Sequence, residues 1–500
     1  MKLYRKEGDL LQILCFPDEY VEKGNYLAVE DLKTGRMLLA QAIDIQFPSL
    51  PGLLEDLLRD EARETYIFGD ELDPLQIESQ INLLRDARLI LAKIRCSVEN
   101  GEMKFNVSWI PSRVHSRIYK IKPQKLCSLL GLGERRPLTL GELGGEYELK
   151  IDADSLDGRL SIIVGRKGTG KSYLAKLLVL GLISYGAPCL ILDVNGEYSG
   201  LGFNPDGTPN HYHGKIKVLK PGRNFKVTLA YAGKPAIHNI LVHVLSTLEN
   251  STREFFRIWS ALESRGSLTL KALREAIETD RDLHENIREA LISRVSFLER
   301  SGFFTDRIDE ALKVEDLFSE VEEGGALVLD LSSSLPSERR MVVEFVLGKL
   351  TELLRVWRLR AVFLFAEEAH LYLRETYWED VVTRMRHLGL FTTFITNQPD
   401  SIREEIYRQA DNIFLFNFIN EHDLNAIARV ARIDSETIRT IAQSLQPYHC
   451  LLIGHAVRDV PLTIKVKKLE VKTMGETRTF FKMENKVKNL PSPEATLFHS

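Results

Sequence analysis

The sequence has few cysteines, and none of them are paired at metal-ligand spacing. Its 500 residues include five cysteines without a CxxC motif: Cys15, Cys96, Cys127, Cys189 and Cys450. This scatter argues against a zinc ribbon and against a disulfide-stapled scaffold, and it is typical of a reducing compartment. The stretch MKLYRKEGDLLQ at the start also lacks the apolar segment of a signal peptide. We therefore expect a cytoplasmic location.

Long apolar runs are absent as well. The longest apolar-looking span, residues 174–194, is interrupted by Lys176, Gly181, Gly186 and Pro188. A helix that spans a bilayer needs roughly 20 largely uninterrupted apolar residues. The span is better explained by a helix, a turn and a buried strand, so we expect no membrane partner.

An excess of positive charge is also missing. The formal net charge is −4, whereas a protein with a general electrostatic footprint for nucleic acid is usually basic. Contact with nucleic acid would therefore be confined to a local patch or channel. One candidate is KIKVLKPGRNFK, residues 215–226, which contains five basic residues. It could line a pore or rim, or it could form a solvated β-hairpin.

The pattern of hydrophobicity changes along the chain. Up to about residue 125, short β-like runs broken by turns predict a small β-barrel, with helical excursions near 53–64 and 75–87. From about residue 159, unbroken apolar runs from LSIIV to HCLLIG alternate with helical stretches, which is typical of a parallel α/β sheet. Amphipathic helical patterns fill a later stretch and predict a helical insertion. The predicted divisions are a β-barrel domain at 1–125, a core at 126–235 and 323–470, the insertion at 236–322 and a tail at 471–500.

The stretch GRKGTGKS, Gly165 to Ser172, matches the phosphate-binding motif G-x-x-x-x-G-K-[ST]. It lies between the strand-like LSIIV and the helix-like YLAKLLVLGL, which is the context that the motif requires. Lys171 would reach the β- and γ-phosphates of ATP, and Ser172 would bind Mg²⁺. The alternative is a glycine-rich turn that binds nothing. The predicted nucleotide contacts are Gly165, Lys167, Gly168, Thr169, Gly170, Lys171, Ser172 and Tyr173.

Acidic and amide side chains follow other predicted strands. In AVFLFAEEAH a predicted buried strand ends in two carboxylates. We assign Glu367 to Mg²⁺ and expect Glu368 to orient the attacking water; the alternative is an acidic helix N-terminus. In ILDVNGEY, Asp193 and Glu197 either serve the site or form a turn. Asn397, in TTFITNQPD, would sense the γ-phosphate or belong to a turn before the proline.

Two arginines, Arg384 and Arg386, lie on the predicted helix VVTRMRHLG. One of them could act as an arginine finger on the nucleotide of a neighbouring subunit. A solvated helix face is the other explanation.

The order of GRKGTGKS, DVNGEY, FAEEAH, RMRHLG, ITNQP and LLIGHAVRDVPLTIKV resembles the HerA branch of the HerA/FtsK superfamily of DNA-pumping ATPases. The resemblance implies a RecA-like core with an N-terminal HAS-barrel, and a homohexameric ring with duplex DNA in its pore. It also implies ATP hydrolysis at subunit interfaces and a NurA-type nuclease partner in DNA end resection. By this resemblance Arg386 is the finger, Arg159 contacts nucleotide, and Asn397 takes the place of the family's sensor.

The leading hypothesis is therefore an ATP-driven translocase or helicase for double-stranded DNA. A P-loop ATPase that remodels protein, or one that serves a defence or DNA-transfer complex, would carry the same loop and carboxylates. The intact Lys171, Ser172, Glu367 and Glu368 argue against a non-enzymatic scaffold.

Overall fold

The computed structural model describes residues 1–48, 86–368, 371, 386–418, 420–428 and 434–474. No helix within these residues is long and apolar enough to cross a membrane. Arg384 and the last 26 residues lie outside the described part, as does nearly all of the predicted helical excursions.

The N-terminal domain is an antiparallel sheet. Its strands are β1 (Lys2–Glu7), β2 (Leu10–Cys15), β3 (Tyr26–Asp31), β4 (Met37–Gln46), β5 (Arg88–Glu99), β6 (Glu102–Lys104) and β7 (Ser116–Lys120). They pair in the order β1-β2-β5-β4-β3-β7, with β6 on β5. Alternating side chains of these strands form one small core, whereas Tyr26, Leu39 and Cys96 are buried in the core of the second sheet. The β-rich character is observed, and closure into a barrel stays a prediction.

The second sheet has eleven strands. They are β8 (Pro137–Leu143), β9 (Tyr147–Asp152), β10 (Ser161–Val164), β11 (Cys189–Asp193), β12 (Ile216–Leu219), β13 (Ala326–Asp330), β14 (Val362–Glu367), β15 (Leu390–Thr396), β16 (Asn412–Leu415), β17 (His449–Gly454) and β18 (Leu462–Val466). Their order is β12-β13-β11-β14-β15-β10-β16-β17-β18-β8-β9. The first seven are parallel, and the last four are antiparallel.

One predicted strand runs in the opposite direction to the expected one. HCLLIG was expected to belong to the parallel set, but as β17 it pairs antiparallel with β16. A strand covered on both faces reads as an unbroken apolar run in either direction, so the pattern cannot distinguish the two.

Helices cover both faces of the core sheet. They are α1 (Pro123–Leu130), α2 (Lys171–Ser184), α3 (Leu229–Asn239), α4 (Glu249–Ser264), α5 (Leu270–Thr279), α6 (Glu285–Arg300), α7 (Val314–Ser319), α8 (Pro336–Arg355), α9 (Glu404–Arg408), α10 (Glu421–Ala428) and α11 (Ser435–Ser444). On β10, Ile162 and Val164 join one core with α3 to α8, whereas Ile163 joins the other with α2. Successive side chains of a strand point to opposite faces of the sheet, so helices pack on both faces. The domain therefore has three layers.

The stretch predicted as a helical insertion, 236–322, contains α4 to α7 and the last four residues of α3. Phe255 and Trp259 of α4 are buried in the same core as the sheet residues Leu190 and Leu192. These helices are therefore integrated with one face of the sheet, and their status as an insertion stays a prediction.

The basic segment 215–226 is not a β-hairpin. Its strand β12 pairs in parallel with β13 at the edge of the sheet, and Phe225 after it is buried. Lys217, Lys220 and Lys226 form ion pairs with Glu320, Asp330 and Glu310. The charge pattern suggested solvated strands, but the hydrophobic alternation of IKVL and the buried phenylalanine determine the packing. Contact of this segment with DNA stays a prediction.

Asn412, at the start of β16, anchors the centre of the sheet. The side chain is fully buried, and its Nδ2 donates to the carbonyl of Ser155 at 3.0 Å and to Oγ of Ser161 at 3.3 Å. Its Oδ1 accepts from the amide of Ala456 at 2.7 Å. The amide thus ties β16 to β10 and to the turn that follows β17.

We expect Asn412→Ala to lower the free energy of unfolding by about 2–4 kcal/mol, because each buried group left without a partner costs about 1–3 kcal/mol. Thermal unfolding measures the loss. Asn224→Ala is the matched control, since that amide also bonds backbone groups but is exposed. Equal melting temperatures for the two variants would contradict the prediction.

Candidate nucleotide site

The loop between β10 and α2 has the geometry of a phosphate cradle. Gly168 and Gly170 adopt positive φ angles of 79° and 114°, which glycine adopts without strain. A Cβ at Gly165 would lie 2.4 Å from Cβ of Phe416, so the backbone passes too close to β16 for any side chain. Lys167 and Gly168 are exposed, and their part of the loop is open to a ligand. The sequence-predicted strand, loop and helix are therefore present in this order.

Lys171 is the first residue of α2 and is only 7% exposed. Its Nζ donates to the carbonyl of Arg166 at 2.9 Å, across the concave side of the loop. Burial lowers the pKa of the Lys171 ammonium, while Glu368 and Glu367 oppose this effect. The predicted phosphate-binding lysine is thus directed toward the predicted acids.

Glu367, the last residue of β14, is 2% exposed. It accepts a hydrogen bond from the hydroxyl of Tyr198 at 2.5 Å. Burial raises the pKa of the Glu367 carboxyl to about 7, with further increases from Glu197 and Asp193, although the Tyr198 bond lowers it. A carboxyl of this kind favours a nearby proton or cation.

Glu368 follows in a strained conformation, with φ at 48°. Nδ2 of Asn397, just beyond β15, lies 3.5 Å from Oε1 of Glu368. Burial raises the pKa of Glu368, and the ammonium of Lys171 lowers it. Backbone strain of this kind is concentrated at functional sites. The structure therefore brings three predicted catalytic residues, Lys171, Glu368 and Asn397, to one edge of the sheet.

Asp193 occupies the end of β11 and is fully buried. Its carboxylate accepts from the backbone amides of Glu197 at 3.0 Å and Tyr198 at 2.9 Å. Of the two interpretations left open by the sequence, the observed bonds are those of a turn-forming residue. This turn places the Tyr198 hydroxyl within hydrogen-bond distance of Glu367.

Lys176 and Tyr198 are site residues that sequence reasoning missed. Lys176 is 2% exposed, lies 3.9 Å from Oε2 of Glu197, and its Nζ is 5.3 Å from the centre of the Tyr198 ring. A charge inside the apolar span 174–194 was the available signal, because a lysine on a buried helix needs a partner. Tyr198 gave no such signal.

The donor set fits Mg²⁺. Glu368 lies near the ammonium of Lys171, the residue before Ser172, and buried carboxylates with raised pKa values such as Glu367 and Glu368 are stabilised by a cation. Within the described residues no group of three or more acidic, histidine or cysteine side chains could hold a metal ion. Mg²⁺ is commonly bound through one or two carboxylates together with substrate phosphates, and the assignment of Ser172 and Glu367 to this ion stays a prediction.

Arg159 and Arg386 lie at the opposite edge of the sheet. Arg386 pairs with Oδ2 of Asp411 at 3.1 Å, and Arg159 with Oδ1 of the same residue at 3.3 Å. Arg159 also contacts Nε2 of His455 at 3.0 Å. Arg159 and Arg386 precede parallel strands, whereas the phosphate loop follows the parallel strand β10. The length of β10, roughly 13 Å, therefore separates the two arginines from the loop. Arg386 also lines a cavity of about 770 Å³ at this edge.

The raised pKa of Glu367 predicts a pH-dependent stability. The folded chain binds this proton up to about pH 7, whereas the unfolded chain releases it near 4.5. Stability from this group is therefore present below pH 4.5 and is lost as the pH rises toward 7, by on the order of 3 kcal/mol. Glu367→Gln has no carboxyl to ionise at this position and so avoids this loss of stability. The melting temperature of the variant minus that of the unmodified protein should therefore increase between about pH 5 and pH 8 in EDTA. An unchanged difference across this range would contradict the prediction, and the exposed Glu102→Gln is the control.

Comparison with known proteins gives a family match in the core. Residues 138–350 match the family described as helicase HerA, central domain. A probable helicase of Methanocaldococcus jannaschii is 21% identical over 446 residues, which cover 85% of this chain and 82% of that protein. VirB4 of Thermoanaerobacter pseudethanolicus superposes with a TM-score of 0.51 at 14% identity, covering 68% of this chain and 98% of its own. The conjugative coupling protein TrwB reaches a TM-score of 0.49 at 13% identity, covering 70% and 92%.

The likeness to VirB4 shows the fold alone, and it supports the predicted RecA-like P-loop ATPase core. The family match begins in β8, includes the phosphate loop and the end of β11, and stops within α8. The resemblance predicted from the motif order is therefore confirmed, since residues 138–350 match the family model of the HerA central domain.

Proposed function

We propose that this protein is an ATP-driven translocase or helicase for double-stranded DNA, and that it works as a homohexameric ring. The observation that carries the proposal is the arrangement of Lys171, Glu367, Glu368 and Asn397 around the mouth of the phosphate loop. The loop cradles phosphate through its backbone amides and through the positive end of α2.

In this proposal the residues divide the work of ATP hydrolysis. Lys171 exchanges the carbonyl of Arg166 for oxygens of the β- and γ-phosphates. Ser172 and Glu367 hold Mg²⁺, which when bound neutralises charge on the phosphates. Glu368 orients the attacking water. Asn397, already within reach of Glu368, responds to the γ-phosphate.

The positions of Arg159 and Arg386 are the reason why we propose a ring. Both face away from this chain's own loop, so a role on nucleotide requires the loop of a neighbouring copy. A head-to-tail contact of two different surfaces closes into a ring when its rotation permits. The finger would then complete the site of the next subunit, and the Asp411 carboxylate would hold it ready.

The DNA and nuclease parts of the proposal rest on the HerA-type match. Duplex DNA would pass through the pore, and a NurA-like nuclease would dock on the N-terminal sheet for end resection. The net charge of −4 requires that DNA contacts be local, as expected for a pore lining.

We expect linear duplex DNA to stimulate ATP hydrolysis several-fold, and we expect the stimulation to fade between about 50 mM and about 200 mM salt, because phosphate contacts release counterions. Steady-state hydrolysis with and without DNA measures both effects. Lys171→Ala should abolish turnover, whereas Lys33→Ala, on an exposed turn of the N-terminal sheet, should not. Hydrolysis that is indifferent to DNA at both salt concentrations would favour an ATPase that remodels protein.

Mixing two inactive variants tests the ring. Arg386→Ala subunits retain the loop, and Lys171→Ala subunits retain the finger, so mixed rings contain some complete sites. With random mixing at equal amounts, about a quarter of the interfaces should be complete and activity should return in part. Mixing either variant with the double variant gives no complete site and is the matched control. No recovery in rings shown to be mixed would contradict action of Arg386 across subunits.

A further inference from the structure

Tyr448 is an exposed aromatic residue in an unusual position. It directly precedes β17, its side chain is 45% exposed, and its φ is 64°. A bulky residue with positive φ is rare, and such strain persists only where surrounding contacts impose it. Glycine would occupy this position without strain, so a tyrosine here needs another explanation.

The contacts that hold Tyr448 come from the phosphate loop. Its amide donates to the carbonyl of Thr169 at 2.8 Å, and its own carbonyl accepts from Val466 at 2.8 Å. The position that a Cβ on Gly170 would take is 3.1 Å from Cδ1 of Tyr448. The ring therefore lies against the backbone of the loop at the start of α2.

A second aromatic ring adjoins it. Tyr173, which follows Ser172 on α2, lies edge-to-face with Tyr448 at a centroid distance of 5.7 Å and an angle of 79°. Both rings are at least partly open to solvent. The pair forms an aromatic corner beside the loop.

The strand order gives the direction of a bound nucleotide. Glu367 and Glu368 lie at the end of β14, two strands from the loop strand β10 on one side. Tyr448 lies at the start of β17, two strands away on the other side, and because β17 is antiparallel its start is at the same edge. A triphosphate whose γ-phosphate faces the acids therefore directs its ribose and base toward Tyr448.

We propose that Tyr448, together with Tyr173, forms the face on which the nucleotide base stacks. This inference rests on the proposed ATP site. Stacking on an aromatic ring tolerates any base, so the pair contributes affinity for a nucleoside triphosphate without choosing among bases. A stacking role would explain why a tyrosine, and not a glycine, occupies this strained position.

The test compares ATP with inorganic tripolyphosphate, which has no base, by equilibrium titration in the presence of Mg²⁺. Tyr448→Gly should weaken ATP binding about tenfold, the effect of losing one base stack, and leave tripolyphosphate binding unchanged. Tyr448→Phe, which keeps the ring, should bind ATP like the unmodified protein. Tyr20→Ala, an exposed tyrosine of the N-terminal domain, is the control for a general surface effect.

Stability separates this role from a structural one. Glycine adopts the positive φ freely, so Tyr448→Gly without nucleotide should melt at the same or a higher temperature than the unmodified protein. Equal weakening of ATP and tripolyphosphate, or unchanged ATP binding, would overturn the inference. Failure of the unmodified protein to bind ATP at all would overturn the proposed function and this inference with it.

Discussion

The parallel pairing of β10 with β15 on one side and β16 on the other is the constraint on which the rest of the structure depends. Because parallel strands share a direction, their carboxyl ends collect at one edge and their amino ends at the other. The phosphate loop and the acids belong to the first edge, and Arg159 and Arg386 to the second. In the proposed ring, one chain would therefore present two different half-sites that face apart, and each would be completed by a neighbouring copy.

Charge balance governs the carboxyl edge. The carboxylates of Glu197, Glu367 and Glu368 lie near the ammonium groups of Lys171 and Lys176. Burial shifts the pKa values of both lysines, of Glu367 and of Glu368 toward the neutral forms. Removing charges from water is costly unless partners compensate them. The two lysines are fewer than the acids at this edge, and the proposed Mg²⁺ would compensate the remaining carboxylates.

Local patterns in the sequence predicted what depends on local structure. GRKGTGKS, the acids after β14 and the amide after β15 follow strands, and the edge at which they meet follows from parallel pairing. The charge of Lys176 within an apolar span was a local signal, but the partners of Lys176 and the role of Tyr198 could not be found in this way, because they depend on a turn and a strand brought together across the sheet. The direction of β17 and the parallel pairing of β12 were missed for the same reason, since the apolar pattern of a buried strand is independent of its neighbours' direction.

The antiparallel direction of β17 also connects the site with the N-terminal sheet. Arg95 of β5 donates to Asp434 at 3.1 Å and to Thr437 at 2.8 Å, at the start of α11. That helix leads to Tyr448, whose amide bonds the phosphate loop at Thr169. A chain of contacts does not by itself couple two sites, because a ligand shifts a conformational equilibrium only through contacts that differ between the two states. A base stacked on Tyr448 would provide such a contact at one end, and the buried Arg95 provides a rigid attachment at the other. If the proposed stacking holds, this helix would connect the nucleotide site with the N-terminal sheet, beside the direct hydrogen bonds of Tyr26 and Gln41 to the carbonyl of Pro461.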